Sequence, residues 1–440
     1  MRIHINEIIL SAFLLSPLSA FSQTAQSGSY NFTLEQCIEY AFSNSLKRQN
    51  MKLSERSAEL GLEQSKNARK PSVSGSVSES LSHNGHEESV NLGGSIGVNA
   101  GVTLYQGGAI SNNIEKSKIE AKKSKVSTEQ YDHTLLLQIL QYFMTAISSE
   151  EMMHSQQRIL EIQKEQLRQG EEKYKVGTIL ESDYLVLKAQ YESDKCNVLN
   201  SQISHDNALL SLKQVLSLDP TEELILVYPD TTDMEALALL PPIETVIERT
   251  IATNPDLQLA QYSIDIAEIN KEIAKAGRRP TVSASAGLHS SHRNFEDFGT
   301  QLGNNFGQSL GVSMSVPIYD RGNTKTTLKM RDVEQKMAEI NKQNTELELR
   351  QTVTKECSDV NLAYAQYKAY KLQSDAYEKV FDGYSKKFEY GTITSVDLLQ
   401  QQNNYVNALQ DYFNSKYNFI LSRKMLDVYM DYPIKYVAEE

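Results

Sequence analysis

Apolar positions along this chain follow two rhythms. The first has a period of two. In 72–81, Val73, Val77 and Leu81 fall on one side, and Ser72, Ser74, Ser76, Ser78 and Ser80 on the other. In 91–105 the even positions Leu92, Ile96, Val98, Ala100, Val102 and Leu104 are apolar, while the odd ones are Asn, Gly, Ser, Thr and, last, Tyr105. The pattern returns as Val282, Ala284, Ala286 and Leu288 against Ser283, Ser285 and Gly287. It returns again as Leu310, Val312, Met314, Val316 and Ile318 against Ser309, Gly311, Ser313 and Ser315. Successive strand side chains point to opposite faces, so four strands with unlike faces are predicted, as hairpins over 71–106 and 280–319. The second rhythm has a period of seven. Ile139, Ala146, Met153, Leu160, Leu167 and Tyr174 form one column. Leu398, Tyr405, Tyr412, Phe419 and Leu426 form another, with Leu399, Val406, Phe413 and Ile420 beside it. Such columns predict long helices packed along their length. The stripe Tyr364, Tyr367, Tyr370, Tyr377, Phe381, Tyr384 and Phe388 reads as helix core.

These rhythms occur twice in the same order. Tyr174-Lys-Val-Gly177-Thr178-Ile-Leu-Glu-Ser-Asp183 is answered 214 residues on by Phe388-Glu-Tyr-Gly391-Thr392-Ile-Thr-Ser-Val-Asp397. Runs free of Gly and Pro precede both copies, 61 residues from Ala109 to Gln169 and 60 from Asn323 to Asp382. Shorter runs of this kind follow them, Thr178–Asp219 and Thr392–Tyr432. The chain therefore reads as one unit written twice. The repeats span 23–218 and 243–440, with an irregular linker over 219–242. Gly177 and Gly391 are expected to end the long helices in the left-handed conformation, with Thr178 or Thr392 starting the next. The tips are thus helical hairpins over 175–183 and 389–397. A shorter helix precedes each strand pair, Leu34–Asn67 broken near Asn44 and Ile243–Ala276 broken at Asn254-Pro255. Sixty helical residues would extend roughly 90 Å, well beyond a globular domain.

Composition narrows the function. Arg2, His4, the apolar run Ile8–Leu15 and the small residues Ala20 and Ser22 read as a secretion signal over 1–22. No stretch approaches the length of a membrane-spanning helix. The net charge of −12 argues against a nucleic-acid partner. Cys37, Cys196 and Cys357 are an odd number without C-x-x-C spacing, and read as buried thiols. The strands have two readings. A soluble sheet with one buried face alternates in this way, and so does a membrane barrel. The length of 91–105, the Ser/Gly faces almost free of charge, and Tyr105 and Tyr319 as strand-end interfacial aromatics all favour the barrel. Four strands cannot close a spanning barrel, so several chains must pool them.

The order of helix, β-hairpin, very long helix, G-T tip and returning helix, done twice behind a signal, resembles the TolC-like outer-membrane efflux channels. The marks that carry it are Val176-Gly177-Thr178 with Asp183, and Gly391-Thr392 followed by Val396-Asp397-Leu398-Leu399. The resemblance implies an α+β fold assembled as a homotrimer. Three chains would share a twelve-stranded outer-membrane barrel above an α-helical periplasmic tunnel. It implies a passive exit duct that is not an enzyme and holds no cofactor. Its partners would be outer-membrane lipid, a periplasmic adaptor and an inner-membrane pump. Val176, Gly177, Thr178, Gly391 and Thr392 would form the adaptor-docking tips. The family closes its tunnel there through a lumen-facing acidic ring and links between the hairpins. Asp397 takes the first acidic position, but Gln400 takes the second, Ile393 stands for the expected Arg, and Phe388 for the usual Tyr. Ser182 and Asp183 keep the acceptor side of the network. Asp183 and Asp397 also have a plainer reading as helix-start acids.

Other signals carry less. An H-x-x-H pair such as His83 and His86, or His289 and His292, lacks a third ligand and reads as polar loop. The lysines 116, 118, 122, 123 and 125, with Lys325, Lys329 and Arg331, read as a solvated helix face or a contact with lipid headgroups. The competing class is a secreted coiled-coil adhesin or fibre subunit, which explains the helices and the signal but not four symmetric strands and paired tips.

Overall fold

A computed structural model describes residues 29–83, 90–228, 234–293 and 297–430. The signal segment, His86, the turn of the first hairpin, Pro229-Asp230 and the C-terminal tail lie outside the described residues.

The chain opens with β1 (Ser29–Phe32), followed by α1 (Leu34–Asn44) and α2 (Leu46–Asn67). The expected break has a cause. Ser45 accepts from the Arg48 N–H and so caps α2, while Arg48 pairs with Asp132 and ties α2 to the next long helix. Next come β2 (Ser72–His83), β3 (Val90–Gln106), α3 (Ala109–Lys175) and α4 (Glu181–Leu216). The linker holds β4 (Glu223–Leu226) and α5 (Met234–Leu237). The second repeat is α6 (Ile243–Thr253), α7 (Pro255–Ala276), β5 (Thr281–His292), α8 (Phe298–Asn304), β6 (Gly307–Ser315), α9 (Asn323–Glu389) and α10 (Ser395–Tyr429). Asn254 caps α7 with Pro255 in the first turn, where a missing N–H costs nothing.

Both long helices have 67 residues, about 100 Å each. They run straight through Gly170 and Gly383. Gly170 lets α4 pack close, because a Cβ there would sit 2.5 Å from Leu187 Cδ1 and force that side chain to shift. The first heptad column is buried at Ile139 and Ala146 but exposed at Tyr174. An α-helix drifts about 20° per heptad relative to a strict seven-residue repeat. The buried line accordingly moves to Ser155, Ile159, Gln163, Gln166 and Gly170. The second column stays inward, with Leu398, Phe419 and Leu426 fully buried.

The strands form one antiparallel sheet in the order β2-β3-β5-β6, so the two hairpins join through β3 and β5. Three features differ from expectation. Thr103 pairs with Ser283 and Tyr105 with Val282, so Leu104 is an extra residue. This β-bulge turns Tyr105 out of the polar set and onto the apolar face. β6 stops at Ser315, ahead of Pro317, which has no N–H to donate; Tyr319 lies beyond the strand. The second hairpin carries the short helix α8 in its connection. A further two-stranded sheet, β1 parallel to β4, is too short to show in the sequence pattern, each strand having only four residues.

The main core lies mid-length, where α1, α3, α4, α6, α9, α10, β1 and β4 bury Ile38, Phe143, Leu212, Leu224, Val246, Val360 and Phe419. A smaller cluster of Leu187, Phe381, Phe388 and Leu398 holds the tip end. Cys37 and Cys357 are buried as expected, and burial pushes the Cys37 thiol up to about 12. Cys196 is exposed, contrary to the sequence reading, because its side of α4 is not covered by the described residues.

Candidate functional site: the helical tips

Each long helix ends in the same way. The Gly177 N–H bonds to the Tyr174 carbonyl and the Thr178 N–H to that of Lys173; Gly391 and Thr392 repeat this on Phe388 and Lys387. Gly177 has φ +77 and Gly391 φ +72, the left-handed conformation of a glycine helix stop. Thr178 and Thr392 do not start the returning helices. Their hydroxyls donate to the Lys173 and Lys387 carbonyls, closing the helix behind them. The N-caps are Leu180 and Thr394. The stop takes three residues, so the next helix begins later than a cap at the threonine would allow.

Asp397 stands in a capping box. Its carboxylate accepts from the Thr394 hydroxyl at 2.7 Å and backbone at 3.2 Å, while Thr394 Oγ1 accepts from the Asp397 N–H. These bonds hold its carboxyl below the ordinary value. The plainer helix-start role is therefore present, whatever else the charge does. Asp183 has a different task. Its Oδ1 accepts from Ser395 Oγ at 2.9 Å, which joins the first turn of α4 to that of α10. Ser182 is exposed and stands outside this bond.

Two joining residues were not legible in the sequence. Ser395 is buried and supplies the donor to Asp183. Lys173 reaches from α3 to the second hairpin, placing its ammonium 4.5 Å from the Phe388 ring centre and donating to the Phe388 carbonyl. A lysine two residues before a helix end looks like any solvated lysine, so no pattern could have marked it. Higher up, buried Asp194 accepts from Gln402 at 2.9 Å, and Lys416 donates to Glu151 at 3.1 Å. The hairpins are thus joined by an aromatic–lysine contact, hydrogen bonds onto the Asp183 and Asp194 carboxylates and the Lys416–Glu151 ion pair, around an apolar cluster. At the extremity Val176, Leu180, Tyr390 and Val396 stand 61–81 % exposed.

Residues 38–217 and 246–430 match the family described as Outer membrane efflux protein. The chain belongs to that family. It is 24 % identical over 307 residues to the outer membrane protein TolC of Escherichia coli K12, covering 68 % of this chain and 61 % of TolC. The outer membrane efflux protein BepC of Brucella suis is 21 % identical over 408 residues, 91 % of this chain and 84 % of BepC. The fold is similar to that of the Campylobacter jejuni CmeC outer membrane channel, with TM-score 0.73, 18 % identity, and 90 % of this chain and 85 % of CmeC covered. Family membership places the protein in the outer membrane. Among the described residues, no helix is long and apolar enough to cross a membrane, and no group of three or more His, Cys, Asp or Glu could hold a metal ion.

Proposed function

We propose that this protein is the outer-membrane exit duct of a tripartite efflux or type I secretion system, working as a trimer. The observation that carries this is an edge left open at each level of the fold. The sheet ends at β2 and β6, and its apolar face is bare: Val73, Val77, Leu310, Val312 and Met314 are 67–88 % exposed. Below it α2 packs on α3, α3 on α7 and α7 on α9, so α2 and α9 end the row. Both ends carry exposed seams at heptad-like spacing, Leu46, Leu53 and Leu60 on α2, and Met330, Val333, Met337, Ile340 and Leu347 on α9. A ring of copies in which the α2 edge of one meets the α9 edge of the next covers both seams and pairs β2 with β6. Three copies supply twelve strands, enough for a barrel whose bare apolar face meets lipid.

In this reading the tips form the closed end of the periplasmic tunnel, where Val176, Gly177, Thr178, Gly391 and Thr392 meet the adaptor. Asp397 supplies a ring of negative charge. Tyr105, turned onto the apolar face by the bulge, lies at the inner lipid boundary, and Tyr319 lies just below it. The chain catalyses nothing and serves a pump that supplies the energy. Native mass spectrometry in detergent should give three copies, and the purified trimer should conduct in planar bilayers. A monomer that inserts and conducts would refute the reading.

A further inference from the structure

Near its outer end the apolar face of the sheet is crossed by a polar row, with the pair Leu81 and Leu92 one step beyond it. Glu79 of β2, Gly94 of β3 and His292 of β5 are successive partners across three strands, on the face that carries Val77, Leu81, Ile96 and Leu288. Gly94 has no side chain, and the Glu79 carboxylate crosses the gap to bond His292 Nε2 at 2.8 Å. A Cβ on Gly94 would lie 2.5 Å from that carboxylate, so the crossing depends on the glycine. The His292 ring is 4 % exposed because Phe298 of α8 covers it edge-on at 4.8 Å. One row inward, Ser290 is buried and donates to the Leu302 carbonyl of α8 at 2.6 Å. Asn305 donates to the Ser291 carbonyl and completes the attachment. The even positions of β5 define the apolar face, so α8 lies against that face and away from the Ser/Gly side.

The spacing has a meaning. From Val282, the partner of Tyr105, to His292 is ten residues along β5. At about 3.3 Å per residue and a tilt of about 40°, that spans about 25 Å across a membrane, the height of the apolar band on outer-membrane barrels. An ionisable, hydrogen-bonded pair inside hydrocarbon is costly, and one near its margin is not. Phe298, the first residue of α8, and Phe306, just after it, are 41 % and 54 % exposed beside Thr300, Gln301 and Asn304, a mix of aromatic and polar groups suited to headgroups.

Building on the barrel reading above, we propose that the Glu79–Gly94–His292 row marks the outer margin of the membrane. The α8 segment is then a lipid-headgroup contact, clamped by that pair to the outside of the barrel wall. The connection between β5 and β6 is turned outward into the lipid interface, and α8 does not close the exit mouth. The partner it fits is a lipid surface.

The chain contains no Trp, so one introduced Trp reports its own depth without background. Phe306→Trp and Val312→Trp trimers would be reconstituted into phosphatidylcholine vesicles whose acyl chains are brominated near the headgroup or near the chain end. Phe306→Trp should be quenched most by the shallow bromines, and Val312→Trp most by the deep ones. Adding Gly94→Ala, which pushes the Glu79 carboxylate off His292, should remove most of the shallow quenching of Phe306→Trp and leave Val312→Trp unchanged. If Val312→Trp is quenched and Phe306→Trp is not, α8 does not meet lipid and this proposal falls while the barrel reading stands. If neither is quenched, the barrel reading falls as well. Shallow quenching that survives Gly94→Ala overturns the clamp.

Discussion

Replacing Lys173 by Met would remove the one cationic contact between the two hairpin tips that the structure shows beside Phe388. The wild-type ammonium donates to the Phe388 carbonyl and lies over the Phe388 ring at 4.5 Å. A charged hydrogen bond contributes about 1.5–3 kcal/mol, and a cation–π contact about 0.5–2 kcal/mol. Burial works against the ammonium and lowers its pKa, so the low ends of both ranges apply. The sum is about 2 kcal/mol per protomer, or about 30-fold in the closed-to-open ratio of one tip. Three tips that release together would add to about 6 kcal/mol, enough to move a channel from almost always shut to almost always open. Single-channel recording in planar bilayers without adaptor measures this directly. Lys173→Met should raise the open probability steeply, whereas Lys173→Arg, which keeps the charge, the donors and the ring contact, should stay near wild type. Membrane insertion and trimer yield should not change, because the main core lies far from the tip. An open probability for Lys173→Met equal to wild type would show that the Lys173 contact does not hold the tips closed.

The other predictions concern the same three regions. A Gly177→Val, Gly391→Val double variant puts β-branched residues at φ +77 and φ +72, at about 1–2 kcal/mol or more per site. It should abolish export in cells while native mass spectrometry still shows trimer; unchanged export would count against docking at the tips. Asp397→Asn should lower cation selectivity in bilayer recordings and loosen the start of α10. The Asp397 carboxyl is held below its ordinary value of 3.8, so its charge and its capping contribution persist above that pH and fade as pH falls through the lower value. Selectivity at pH 5 should therefore match that at pH 7, and a loss between them would place the charge on another group. Asp183→Asn should affect selectivity less and closure more, because Asp183 holds Ser395 and stands outside the capping box. Leu53→Glu or Val333→Glu, each on an open edge, should shift trimer to monomer in native mass spectrometry, and full trimer would refute the edge-to-edge ring.

Much of this protein was determined by local chemistry and is visible without coordinates. The period-two segments became β2, β3, β5 and β6. The Gly/Pro-free runs became two helices of equal length, and Asn254-Pro255 and the Asn44 region broke their helices as the capping preferences of Asn254 and Ser45 require. Left-handed Gly177 and Gly391 followed from the absence of a Cβ. Each of these rests on near neighbours in the chain, and near neighbours are what a sequence displays. Other features depended on partners far away in sequence. Ser395 matters because Asp183 lies 212 residues away, Lys173 because Phe388 lies 215 away, and Glu79 because a glycine in the next strand lets it reach a histidine in the one beyond. The side of the sheet that Tyr105 faces was set by one extra residue at Leu104, visible only once β3 is registered against β5. Sequence determines which segments are helix or strand because those choices are made over a few residues. Tertiary structure decides which polar groups meet, because a hydrogen bond needs two atoms within about 3 Å and nothing in a linear pattern records that distance.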